Sequence, residues 1–257
     1  MRAPGWQAFL RKEFREILHT WRLWVMPGIL LFLGLSTPIL TKLTPQIIKA
    51  TANKTPGLVL HFPPPVARDA YLQFVGNLEQ LVIIALVIVT SAAIASERRS
   101  GTAVLVLTKP LSRTGFVMVK ALSQLVLLGA ATLLGTLVCL GVTVAIFRST
   151  ADTGHLLAAV GAWFVFAAMM TLLTLFLSAT LEGQAPAGGA GIAVWAAFLV
   201  VAAFPLIRDH SPAGLTTASD AILRGQHTAL LWPIVSSLAL AGLSLAGAVW
   251  TFARKEL

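Results

Sequence analysis

"ALSQLVLLGAATLLGTLVCLGVTVAIF", residues 121–147, runs for 27 residues without Asp, Glu, Lys, Arg or His. A helix needs about 20 mostly apolar residues to cross about 30 Å of hydrocarbon. Five further charge-free runs reach or approach that length: 23–41, 80–96, 156–181, 183–207 and 225–253. They are continuously apolar, whereas barrel strands alternate over segments of about ten residues. Helices satisfy every backbone group internally, as lipid requires. The expected fold is therefore all-α: a polytopic membrane protein with six transmembrane helices in one domain, 1–257.

Composition agrees. The chain is 57% hydrophobic and only 11% charged, against roughly 25% charged in soluble domains. The net charge of +9 comes from Lys and Arg beside the spans, which suits anionic headgroups and topology control rather than nucleic acid. Six spans place both termini on one side. That side carries 12 of the 19 Lys and Arg residues, and the other side carries 7. The excess puts the termini in the cytoplasm, with the plasma membrane, most simply a bacterial inner membrane, as the location. The one cysteine, Cys139, lies within a span and reads as a small packing residue.

Before the first span, "GWQAFLRKEFREILHTWR" sets Trp6, Phe9, Leu10, Phe14, Ile17, Leu18 and Trp21 at helical spacing. Arg11, Arg15, His19 and Arg22 line the other face. That is the pattern of a helix lying in the membrane surface, assigned to residues 1–22; a helix docked on a protein partner would show the same pattern. Residues 23–96 hold spans one and two, with a long outer loop at 41–78. Its prolines interrupt helix, and "ARDAYLQFVGNLEQ" then runs helically into span two. Residues 121–257 hold spans three to six. The segment 208–226 reads as an exposed, turn-rich connection.

Catalytic signatures are missing. The chain has no G-x-x-x-x-G-K-[ST], H-E-x-x-H or G-x-S-x-G pattern. Its five histidines are not paired at metal-ligand spacing, so neither catalytic nor metal-binding residues are assigned. No run carries a central charge, a feature that costs about 2.5–3.5 kcal/mol and marks ion relays. The energy source is thus expected outside this chain. Small and weakly polar residues, namely Gln124, Thr132, Thr136, Gly188 and Gly189, are candidates for a pathway or a dimer seam. Packing within one subunit, or threonine bonding to its own helix, explains them equally well.

One stretch between spans carries several constraints at once: "ERRSGTAVLVLTKPLSRTGFVMVK", residues 97–120. Glu97, Arg98 and Arg99 precede a Gly101-Thr102 step, an apolar run, and Pro110-Leu111-Ser112-Arg113. Ser112 is placed to cap the third span's helix. The order and spacing resemble the first cytoplasmic loop of ABC transporter permeases, specifically the type-2 exporter permease family. "FLRKEFREIL" resembles that family's interfacial connecting helix, and "FARKEL" its short cytoplasmic tail.

The resemblance implies the transmembrane subunit of an ATP-driven exporter. Residues 97–120 would form a cytoplasmic coupling loop docking on a separate ATP-binding subunit, through Glu97, Arg98, Arg99, Gly101, Thr102, Pro110, Ser112 and Arg113. Arg11, Phe14, Arg15 and Leu18 of the interfacial helix would flank that site. ATP and Mg would be bound by the partner, with no cofactor on this chain. A second permease copy, identical or related, and membrane lipids would be the other partners. Some relatives carry a long extracellular re-entrant helix pair before the last span. The 208–226 segment here is short and broken by Pro212 and Gly214, which favours a small or amphipathic exported compound over a polysaccharide. The competing readings are a non-transporting scaffold, such as an assembly or immunity factor, and an intramembrane enzyme, for which the spans offer no paired catalytic groups.

Overall fold

Backbone that cannot bond to lipid coils into helix wherever the chain is long and apolar, and the computed structural model follows that rule. It describes residues 21–52, 64–99 and 112–254. The helices are α1 (Trp21–Ala52), α2 (Ala67–Asn77), α3 (Ile83–Arg99), α4 (Arg113–Phe147), α5 (Thr153–Thr180), α6 (Gln184–Ala202), α7 (Pro205–Arg208), α8 (Leu215–Leu223) and α9 (Leu231–Arg254). A π-helical turn, Leu78–Val82, joins α2 to α3 in one rod. Among the described residues there is no strand. Six helical stretches are long and apolar enough to cross a membrane: α1, the α2–α3 rod, α4, α5, α6 and α9. The N-terminal surface helix predicted over 1–22 falls almost wholly outside the described residues.

The spans alternate in direction. One end of the bundle, here the terminal end, gathers Trp21, Arg99, Ser112 and Arg254. The distal end holds the connections between α1 and α2, α4 and α5, and α6 and α9. Helix α5 is the central post, packing on α3, α4, α6, α8 and α9. Its Trp163 and Phe166 are buried with Tyr71 and Phe74 of α2 and Phe116 of α4 in one apolar core. Burial is uneven: 67% of the α2–α3 window and 61% of the α5 window are enclosed, against 11% for α6 and 22% for α9. The last two therefore turn most of their surface outward, to lipid or to another chain.

Two boundaries differ from expectation. In the outer segment predicted at 41–78, α1 continues to Ala52, beyond the predicted end of span one, while α2 begins at Ala67, where the sequence placed a helix. Pro38 and Pro45 lie inside α1, where each removes one ladder hydrogen bond. Nearby hydroxyls reinforce that stretch: Thr41 Oγ1 donates to the Thr37 carbonyl at 2.9 Å and Thr44 Oγ1 to the Leu40 carbonyl at 2.7 Å. Asn77 Nδ2 then donates to Thr37 Oγ1 at 3.1 Å, fastening α2 to α1.

The second correction is larger. The segment expected to be an exposed turn is folded and packed. Span five ends at Ala202, and span six begins at Leu231. Between them α7, a 3-10 turn (Pro212–Gly214) and α8 form a short helical hairpin against α5, α6 and α2. Ala213, Leu215 and Leu223 are fully buried. Pro212 breaks the segment, as the sequence suggested, and Pro205 and Pro212 open α7 and the 3-10 turn, but "LTTASDAIL" between them and α9 is amphipathic and lays its apolar face on α5.

The closest helix approach is between α1 and α4. A Cβ placed on Gly34 would stand 2.5 Å from the Gly135 carbonyl oxygen, and one on Gly135 would stand 2.9 Å from Leu30 Cβ. Two facing glycines thus let the backbones touch. Gly34→Ala should destabilise the protein by about 1–3 kcal/mol, because backbone cannot give way. Gly141→Ala, on the open side of α4 with nothing within 4 Å of its Cβ, should cost nothing. Thermal unfolding in detergent compares the two.

At the distal end, Arg68 donates to both carboxylate oxygens of Asp152, at 2.8 and 3.1 Å. These bonds hold the Asp152 carboxyl below its ordinary value of 3.8. A lowered acid stabilises the fold above its unfolded value and loses that contribution as pH falls. The wild type's advantage in thermal midpoint over Asp152→Asn should therefore be present at neutral pH and shrink as pH drops through 3.8 and below.

Candidate functional site

The predicted coupling stretch leaves the bundle at the end of α3 and returns at the start of α4. Both anchor points are held firmly. Helix α4 starts where Ser112 adopts extended backbone and its Oγ accepts from Gly115 N–H at 3.0 Å, satisfying one of the free amides at a helix start. One residue on, Arg113 Nη1 donates to the Ala253 carbonyl of α9 at 2.8 Å. Phe116 stacks on Phe252 with ring centroids 5.0 Å apart and planes within 6°. The first turns of α4 are thereby fixed to the last turns of α9.

The exit point is held differently. Ser178, near the end of α5 and fully buried, inserts its hydroxyl against α3. Its Oγ accepts from Ile94 N–H at 3.2 Å and Ala95 N–H at 3.0 Å, and donates to the Ser91 carbonyl at 2.7 Å. One hydroxyl thus joins the backbones of two spans in a dry interior, where a hydrogen bond has no water to compete with it. Glu97 follows two residues after Ala95.

The predicted site residues are placed as follows. Glu97, Arg98 and Arg99 are the last helical residues of α3. Ser112 is the cap of α4, and Arg113 its first residue, bonded to α9. Gly101, Thr102 and Pro110 lie outside the described residues, as do Arg11, Phe14, Arg15 and Leu18. Gln124, Thr132 and Thr136 are buried inside the six-span unit, and the hydroxyls of the two threonines find no hydrogen-bond partner among the described residues. Gly188 is buried, with the position of its missing Cβ 3.2 Å from Ser91 Oγ of α3, whereas Gly189 is exposed with open space around it. The two neighbours therefore face opposite ways, one into the subunit and one out of it.

Three features escaped the sequence reading. Ser178 is one hydroxyl among several in apolar spans, and nothing in "TLFLSAT" separates it from the rest. Lys120, read as part of the basic loop, is fully buried in the second turn of α4, with its Nζ 5.7 Å from the centre of the Phe116 ring. Arg113–Lys120 is thus helix rather than loop; the run from Arg113 at helical spacing was the available signal. Glu79, within the stretch read as running helically into span two, was given no role. It sits on the π-helical turn with Ser219 and Asp220 of α8 as polar neighbours, and neither its Oε1 nor Ser219 Oγ has a hydrogen-bond partner among the described residues.

Among the described residues no group of acidic, His and Cys side chains could hold a metal. The family described as "ABC-2 family transporter protein" matches residues 7–257. The chain is also 23% identical over 256 residues to the "Uncharacterized transmembrane protein YxlG" of Bacillus subtilis (strain 168), covering 97% of each. With six apolar spans, and a family match reaching from before the first span to the last residue, the chain belongs to the ABC-2 transporter family and is a membrane component of an ABC-type transporter.

Proposed function

We propose that this chain forms the translocation pathway of an ATP-driven exporter and takes its drive from a separate ATP-binding subunit docked on residues 97–113. Two copies of the chain, or one copy with a related permease, complete the pathway, and both termini lie in the cytoplasm of the plasma membrane. The observation that carries the reading is the pair of anchors on either side of the stretch. Ser178 ties the outgoing helix α3 to α5, and Arg113 with Phe116 ties the incoming helix α4 to α9. A push on the stretch between them would move four spans rather than flex a loop.

The residue types suit such a contact. Glu97, Arg98 and Arg99 present both signs of charge at a helix end, and Gly101 permits close backbone approach to a partner surface. ATP and Mg are bound by the partner, and this chain contributes no catalytic group. The outward direction is what the family resemblance implies, and the apolar, weakly polar spans suit a small or amphipathic compound. A scaffold without transport would not need both helices flanking the stretch to be locked to other spans.

Reconstituted with its ATPase, the Glu97→Ala or Gly101→Trp chain should lose several-fold of the coupled ATPase activity while inserting normally in the membrane. Wild-type activity in both variants would reduce the stretch to a topology signal. Ser178→Ala should leave the Ile94 and Ala95 amides without that acceptor, at about 1–3 kcal/mol, and should lower coupled activity along with the unfolding midpoint. Full coupling in a measurably destabilised Ser178→Ala protein would show that the α3–α5 clamp is structural only.

A further inference from the structure

The distal hairpin encloses a cavity of about 370 Å³, within the range of small-molecule sites, roughly 300–1,000 Å³. Its position is set by tight packing. A Cβ on Gly214 would meet the Arg208 carbonyl oxygen at 2.7 Å and Pro233 Cγ at 2.8 Å, so α7, the 3-10 turn and α9 converge without slack at its wall. The lining is polar and of both signs: Arg208, Asp209, Asp220, Gln226, His227 and Thr228.

The two ion pairs at the cavity differ. Asp220 is engaged on both oxygens by Arg224, at 2.7 and 3.2 Å. Arg208 meets Asp209 through one bond only, Nε to Oδ1 at 2.9 Å. Among the described residues this leaves the two Nη groups of Arg208 and Oδ2 of Asp209 unengaged. A guanidinium fork and a carboxylate oxygen on adjacent residues can receive an anion and an ammonium together. The flanks are apolar: Leu206 is 84% exposed and Trp232 56% exposed, with Ile207 and Leu231 also exposed. Outside the lining, the rings of His210 and Trp232 stand 6.3 Å apart, centre to centre. Exposed Trp beside polar groups at a span end marks the membrane interface.

We propose that this cavity binds a zwitterionic headgroup carrying a phosphate or carboxylate and a primary ammonium, on an amphipathic molecule whose apolar part lies along Leu206, Ile207 and Trp232. Arg208 takes the anion, and Asp209 takes the ammonium. Gln226 and Thr228 supply neutral hydrogen bonds, and His227 offers one more. Such a molecule is either a resident phospholipid or an amphipath arriving from solution. The site goes beyond the coupling reading and does not depend on it, since binding needs no ATPase.

The test uses the purified full chain in phosphatidylglycerol nanodiscs, without its ATPase, titrated by calorimetry. The probes are a dihexanoyl phosphoethanolamine lipid, the matching phosphatidic acid, and hexylamine. The zwitterion should bind at least about tenfold more tightly than either probe carrying charge of one sign alone, because it alone engages both groups. Arg208→Gln and Asp209→Asn should each weaken the zwitterion about tenfold. Asp209→Asn should bind the phosphatidic acid at least as tightly as the wild type, since it frees the Arg208 Nε–H from Asp209, which keeps the assignment testable if Arg208→Gln fails to fold. Equal binding of all three probes, or unchanged zwitterion affinity in a folded Asp209→Asn protein, would overturn the proposal. Native mass spectrometry separates the sources. Aminophospholipid retained through purification by the wild type and lost in Asp209→Asn identifies a resident lipid. Titratable binding with no retained lipid identifies a ligand from solution.

Discussion

Every backbone amide and carbonyl in the hydrocarbon layer must find its partner within the chain, because lipid supplies none. That constraint produces the long helices, and it also explains their exceptions. Pro38 and Pro45 withdraw ladder bonds from α1, and threonine hydroxyls bond to carbonyls in the same stretch. The Ile94 and Ala95 amides of α3 have Ser178 Oγ as an acceptor. The segment between α6 and α9 could not be packed as an open loop. It therefore coils into α7, a 3-10 turn and α8, and α8 buries Leu215 and Leu223 on the bundle beside α5.

The two ends of the bundle solve different problems. At the terminal end, single polar contacts join helices that are distant in sequence: Ser178 to Ile94 and Ala95, Arg113 to Ala253. The stacked Phe116–Phe252 pair adds apolar area behind the second contact. These couple spans without filling the space where a partner would dock. At the distal end, the contacts are mostly local or between loops. Arg68 with Asp152 bridges the starts of α2 and α5, and Asp220 with Arg224 closes one turn of α8. Asp220 stands in the wall of the hairpin's polar cavity, and the Arg68–Asp152 pair lines a separate recess beside the start of α2.

Six spans were legible in the sequence because hydrophobic run length is a one-dimensional property that lipid thickness reads directly. The Ser112 cap was legible because a cap is a local device, fixed by a hydroxyl and an amide three residues on. The folded state of 208–226 was not. Pro212 and Gly214 are turn signals taken alone, and only their contact with Pro233 of α9 and with α6 turns them into a packed segment. Lys120 was misplaced for a related reason. A basic residue beside basic residues reads as loop, yet helical phase from Ser112 carries it into the core beside Phe116. Ser178 was invisible because its partners are backbone atoms 83 and 84 residues away. The Gly34–Gly135 contact likewise depends on helix register between two spans, which composition does not encode.

The unequal burial of the spans carries the last step. In water, the exposed apolar faces of α6 and α9 would drive association by themselves. In a bilayer they do not, since lipid tails are as apolar as leucine and release nothing on being replaced. What favours a protein neighbour there is close van der Waals approach and polar bonding. Helix α6 has Gly189 open on its outer side while Gly188, one residue earlier, is already taken up by Ser91. Helix α9 likewise has Gly242 open, beside the exposed Leu238, Leu243 and Trp250, and α6 exposes Leu199 and Val200 beyond its glycines. On both spans, close contact with a neighbour is therefore physically favoured at the glycine, and the larger side chains along the rest of the face suit lipid.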